Sequence, residues 1–185
     1  MDKLPDHLGG HMNKVHVDGG VLHYMQRVFG VETMIDIGCG PGDQVILANQ
    51  IGYNAIGVDG DWTVLPKTEN FHLHDFTTGP WIPSIPIKFD LAWSVEFLEH
   101  IEEKYLSNVF ETFKLCEYVI VTHALPGQNG HHHVNCQFPS YWIDKFSEYN
   151  FQFLPIATEH LRMSSTMVKP FIGRTGLLFE NMIKE

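Results

Sequence analysis

Short apolar runs alternate with amphipathic stretches through most of this chain, the pattern of strands buried in a sheet and helices packed across it. Apolar or β-branched runs fall at residues 34–37, 54–59, 71–76, 89–95, 118–122, 151–156 and 176–179. Helical periodicity fills several of the gaps. Val21, Leu22, Met25 and Val28 share a face after a capping Asp18, and that helix stops at Gly30. A second amphipathic segment runs over 43–51 and closes on Gly52. Ile101, Tyr105, Val109 and Phe113 make a four-residue stripe in a helix with Glu102 and Glu103 in its early turns, and Trp142, Ile143 and Phe146 point inward from a helix over 139–149. Residues 77–86 are proline-rich and read as a surface loop. Strand alternating with helix predicts an α/β domain with a mostly parallel sheet.

The first seventeen residues break this rhythm. They are polar and contain Gly9, Gly10, His7, His11 and His16, so the expected division is an arm over 1–17 followed by a domain over 18–185. A chain of 185 residues is long enough to bury one core. Twelve Lys and Arg against 22 Asp and Glu give a formal charge of −10, a surface that repels nucleic acid and anionic membrane. A small-molecule acceptor or ligand is the expected partner. Cys39, Cys116 and Cys136 are odd in number and lack metal-ligand spacing, which predicts a reducing compartment without a disulfide framework. No secretory pattern opens the chain and no apolar run is long enough to cross a bilayer, so a soluble cytoplasmic protein is expected.

Candidate chemistry concentrates where the first strand ends. Met34-Ile35-Asp36-Ile37-Gly38-Cys39-Gly40-Pro41-Gly42 leads from a buried run into three glycines at alternate positions and then a helix start. Glycines allow close backbone approach to a ligand, and the helix N-terminus adds a partial positive charge. The dinucleotide spacing G-x-G-x-x-G fails in both frames, because its third glycine would fall on Asp43 or Val45.

The D-x-G-x-G-x-G pattern at Asp36–Gly42, with Glu96-Phe97-Leu98-Glu99-His100 after the fourth strand, resembles the class I S-adenosylmethionine-dependent methyltransferases. The resemblance spans about residues 34–179 and leaves the arm outside. It implies a Rossmann-like three-layer sandwich on a mostly parallel seven-stranded sheet, the last strand antiparallel beside the fifth. It also implies S-adenosylmethionine as cofactor: Asp36 with Gly38, Cys39 and Gly40 at its amino-acid end, and Asp59 with Gly60 at the ribose. Asp75 and Phe76 would meet the adenine, flanked by Trp62 and Val64, and Ser94 would line the site. Asp61 rivals Asp59, although Asp59 directly ends the apolar run. Within the arm, His11, Asn13 and His16 are candidates for the substrate pocket.

The expected reaction is methyl transfer to oxygen or nitrogen of a small-molecule or sugar-type acceptor. A hydroxyl acceptor needs a base, for which His100 and His133 are the candidates within a polar loop that also carries His131 and His132. Glu96, Glu99 and His100 stand at i, i+3 and i+4 and share a helix face if the helix begins by Glu96, which suits a divalent metal. That E-x-x-E-H pattern looks like the one in ubiquinone-biosynthesis O-methyltransferases and in small-RNA 2′-O-methyltransferases, where another histidine, here His131 or His133, completes the site. A metal-assisted RNA 2′-O-methyltransferase and a catalytically degenerate binding module are the alternatives. The D/N-P-P-Y motif of base-flipping enzymes is absent, with Ser94-Val95-Glu96-Phe97 in its place.

Overall fold

The computed structural model describes residues 3–10, 14 and 16–183, which leaves His11 and Asn13 outside the described residues. Seven strands form one sheet: β1 (Thr33–Ile37), β2 (Asn54–Asp59), β3 (Phe71–Leu73), β4 (Phe89–Ser94), β5 (Cys116–Val121), β6 (Phe151–Phe153) and β7 (Leu177–Asn181). Their spatial order is β3-β2-β1-β4-β5-β7-β6. Strands β1 to β5 pair in parallel, while β7 runs antiparallel to both β5 and β6. Six α-helices connect them: α1 (Gly19–Phe29), α2 (Asp43–Gln50), α3 (Leu106–Phe113), α4 (Pro139–Glu148), α5 (Pro155–Ser164) and α6 (Phe171–Thr175).

The two faces of the sheet carry separate cores, which makes the architecture a three-layer sandwich. Along β1, Ile35 and Ile37 join Phe110, Phe113, Trp142 and Phe146 of α3 and α4. Met34, pointing the other way, joins Leu22 and Met25 of α1, Val45 of α2 and Leu161 of α5. This is the alternation of a pleated strand covered on both sides. Asp18 caps α1 by accepting the Val21 N–H at 3.0 Å, and the same oxygen accepts the Thr166 N–H at 3.0 Å. The base of the arm is thereby tied to the segment after α5.

Three expectations need correction. The helix after β4 does not begin by Glu96. Glu96 has φ of +57°, and two short 3-10 turns, Leu98–His100 and Glu103–Tyr105, precede α3. The reason lies in the backbone: the Glu99 carbonyl accepts N–H groups from Val134 and Asn135 at 2.9 and 3.1 Å, so it is engaged by a distant loop rather than by the next helical turn. The sixth strand ends at Phe153, and Pro155 opens α5 as its first residue. The third strand ends at Leu73, so Asp75 and Phe76 lie in the loop that follows it.

Candidate active site

Strand order reverses between β1 and β4, and a crevice opens beyond the C-terminal ends of the strands at such a point. A cavity of about 440 Å³ lies there, lined by Asp36, Gly38, Cys39, Gly40, Asp59 and Gly60 from the ends of β1 and β2. Glu96, Phe97, His100, His131 and His133, which follow β4 and β5, line it too. Asp75 and Phe76 also face it. Ser94 does not: it is fully buried and donates its hydroxyl to the Ile37 carbonyl at 3.2 Å, bracing β1 against β4. Trp62 and Val64 are not among the lining residues either, with Trp62 half exposed and Val64 buried.

The glycine turn is shaped by its neighbours. Gly38 has φ of +79°, and a Cβ there would lie 2.4 Å from the Phe97 ring. Gly40 donates its N–H to Asp59 at 2.7 Å, which ties the turn to the end of β2. The other Asp59 oxygen accepts the Asp61 N–H at 2.9 Å. Asp61 is buried and accepts both the N–H and hydroxyl of Thr63, so it builds the turn after β2.

The cavity floor is acidic. Asp36 is almost fully buried, its carboxylate has no hydrogen-bond donor among the described residues, and burial followed by the charge of Asp59 pushes its pKa well above the usual carboxylate range. Buried acids beside one another call for a cation between them. Cys39 is held in its neutral thiol form by burial and then by Asp36 and Asp59, which fits a small filler rather than a nucleophile.

The arm crosses this cavity. His7 Nε2 lies 2.9 Å from Asp75, and the Leu8 carbonyl lies 2.8 Å from His131 Nε2. Gly10 packs so closely that a Cβ would lie 3.2 Å from His100 and 3.3 Å from His131. Desolvation opposes ionisation of Asp75, yet its bonds from His7 and Thr77 lower the pKa overall.

The loop after β5 is fastened to the 3-10 turn through the Glu99 carbonyl and through Asn135 Nδ2, which donates to the Ile101 carbonyl at 3.2 Å. That fastening brings Glu99, His100 and His133 together, with ligand-capable atoms all within 4.8 Å of one another. Glu99 is fully buried, and neither of its carboxylate oxygens has a hydrogen-bond partner among the described residues. Burial, and then the nearby Glu96, pushes its pKa up to about 8. His100 Nδ1 is likewise unpartnered, and desolvation followed by His133 lowers the His100 pKa to about 4. Neutral imidazoles and a carboxylate stripped of donors are the donor set of a metal site.

Glu96 is near this trio but not part of it. Its N–H donates to the Thr122 hydroxyl at 2.7 Å, and that hydroxyl donates to Glu96 Oε1 at 2.9 Å. The sequence spacing alone offered Glu96, Glu99 and His100. The resemblance added His131 or His133, and the long-range loop contact brings His133 of the two to Glu99 and His100.

No protein-family model matches the chain, and no curated protein sequence does. Solved structures do match its fold. The methyltransferase domain of bacterial CtHen1-C is 18% identical over 88% of this chain and 95% of its own, with a TM-score of 0.59. Magnesium protoporphyrin IX methyltransferase from Synechocystis PCC 6803, with bound SAM, is 14% identical over 72% of this chain and 67% of its own, with a TM-score of 0.56. Human N-acetylserotonin methyltransferase in complex with SAM is 15% identical, with a TM-score of 0.57; the match covers 88% of this chain and half of that one.

Proposed function

We propose that this chain, whose fold is that of the class I S-adenosylmethionine-dependent methyltransferases, transfers a methyl group from S-adenosylmethionine to a hydroxyl of a small acceptor. The observation that carries the reading is the acidic cavity at the strand-order reversal. Asp36 is buried without a donor beside Asp59, and a cofactor with an ammonium and a sulfonium supplies the missing positive charge. In this reading Asp36, Gly38, Cys39 and Gly40 hold the amino-acid end, and Asp59 with Gly60 receives the ribose. Asp75 and Phe76 take the adenine. Because His7 already bonds Asp75, the arm either closes over the adenine or yields to it.

The reaction is an in-line displacement. A lone pair on the acceptor oxygen forms the new bond to the methyl carbon, the carbon–sulfur bond breaks, the sulfonium becomes a thioether, and the acceptor proton is released. Alignment supplies most of the catalysis, since positive charge disperses in the transition state. Glu99, His100 and His133 would hold a divalent ion at the acceptor end of the cavity. Two imidazoles and one carboxylate suit a borderline ion such as Mn²⁺ or Fe²⁺ better than Mg²⁺. When bound, such an ion supplies Lewis acidity that makes a coordinated hydroxyl easier to deprotonate. His133 Nδ1 lies 3.0 Å from the Gln128 carbonyl, a contact that fixes the ring. Glu96 sits beside the trio, held by Thr122, and adds negative charge.

His100 as a general base is the second reading. With a pKa near 4 it is neutral at pH 7 but too weakly basic to take a hydroxyl proton efficiently, which favours its role as a ligand. Three free cysteines and no helix long and apolar enough to cross a membrane among the described residues support a setting in the cytoplasm. The test is transfer of a labelled methyl group to a panel of hydroxyl and amine acceptors, with chelator or with added Mn²⁺. Transfer to a hydroxyl acceptor that chelator abolishes and Mn²⁺ restores supports the reading. Full activity in chelator removes the metal, and transfer only to amines removes the hydroxyl acceptor.

A further inference from the structure

Most lysines whose charges the structure places have carboxylate partners. Lys3 pairs with Asp6, Lys67 with Asp43, Lys104 with Glu102, Lys114 with Glu111, and Lys145 with Glu103 and Glu148. Lys14 and Lys169 have none among the described residues, although the chain carries a formal charge of −10. Both line the cavity, one from the arm and one from the segment before α6. Both also act electrostatically on the His16 imidazole. The Lys169 ammonium lies 5.8 Å from the centre of Phe171, and His16 meets the same ring edge-on at 5.2 Å. Like charges that line one cavity repel, and the repulsion is relieved when an anion sits between them.

Burial raises the Glu96 pKa, while the Thr122 hydroxyl and then the charge of Lys169 act against it, so Lys169 faces the Glu96 end of the cavity. The cavity therefore carries both lysines in its lining, with Lys169 toward Glu96, the neighbour of the Glu99–His100–His133 cluster.

Resting on the methyltransferase reading above, we infer that Lys14 and Lys169 form an anion subsite for the methyl acceptor, which carries a phosphate or carboxylate group in addition to its reactive hydroxyl. The anion would seat against the two ammonium groups while the hydroxyl is presented to the Glu99–His100–His133 cluster. This selects charged acceptors from neutral ones of the same shape, and it directs the reactive oxygen to one place in the cavity.

The test uses the full chain saturated with S-adenosylhomocysteine, in chelator, titrated with inorganic phosphate at constant ionic strength and with chloride as control. The expected result is saturable binding on the order of millimolar. Lys14→Ala and Lys169→Ala should each weaken it at least about tenfold while leaving S-adenosylhomocysteine affinity within about twofold. Absence of saturable phosphate binding, or binding that both variants retain, overturns the subsite. If phosphate and S-adenosylhomocysteine exclude each other and the variants lose affinity for the latter, the lysines hold the cofactor's carboxylate and the acceptor assignment is overturned. Failure of the wild-type chain to bind S-adenosylhomocysteine at all would instead count against the methyltransferase reading, and the phosphate titration on the unliganded chain would still test the lysines.

Discussion

Glu99→Gln should stabilise the metal-free protein at neutral pH while destroying its response to metal. The Glu99 carboxyl is fully buried without a hydrogen-bond partner, and its pKa is pushed from 4.5 to about 8. Between those values the unfolded chain has released the proton and the folded chain still holds it, so stability falls as pH rises. Each pH unit across that window costs about 1.4 kcal/mol. At pH 7 the metal-free wild type is therefore penalised on the order of 3 kcal/mol relative to a form that cannot ionise. Glutamine has the shape of the protonated acid and never ionises, so it escapes the penalty. Urea denaturation in chelator at pH 5, 7 and 8 provides the assay. The two proteins should be close at pH 5 and should separate progressively above it, with the variant the more stable. Added Mn²⁺ should then raise the midpoint of the wild type and leave Glu99→Gln unmoved. Parallel stability profiles from pH 5 to 8, or an equal response to Mn²⁺, would refute the argument that Glu99 is a carboxylate waiting for a cation.

Two further substitutions separate roles that lie close together in sequence. Asp59→Ala should weaken S-adenosylhomocysteine binding by about 1.5–3 kcal/mol, because it removes the proposed ribose acceptor as well as the Gly40 tether. Asp61→Ala should chiefly lower the melting temperature, since that carboxylate builds the turn with Thr63; the reverse pattern by calorimetry and melting would exchange the two assignments. Gly38→Val should eliminate cofactor binding in a protein that still shows native circular dichroism, because φ of +79° and the Phe97 ring leave no room for a β-branched side chain. Retained affinity there would mean that the turn does not approach the ligand.

The legible part of this molecule is what local pattern encodes. Buried runs ending in Asp36 and Asp59, the alternate glycines, and the Asp18 cap with its Gly30 stop all carry their structure in adjacent residues. The illegible part depends on contacts between distant residues. Nothing near Glu96 announces a left-handed backbone, because its N–H is claimed by Thr122, twenty-six residues later. A helix does not begin there, because Val134 and Asn135 take the Glu99 carbonyl. The same contacts deliver His133 to His100, so the cluster combines two residues of the E-x-x-E-H spacing with one of the two loop histidines that the resemblance left open. Helix α5 escapes the pattern for a different reason: only Thr158 and Leu161 of its ten residues are buried, too few to print a helical stripe.

The central claim is that the acidic cavity at the strand-order reversal holds a sulfonium cofactor. Titration calorimetry of the full chain with S-adenosylmethionine, and separately with NAD and ATP, tests it most directly. The account predicts saturable one-to-one binding of S-adenosylmethionine and no heat of binding from either nucleotide. Tight binding of NAD with none of S-adenosylmethionine would contradict it.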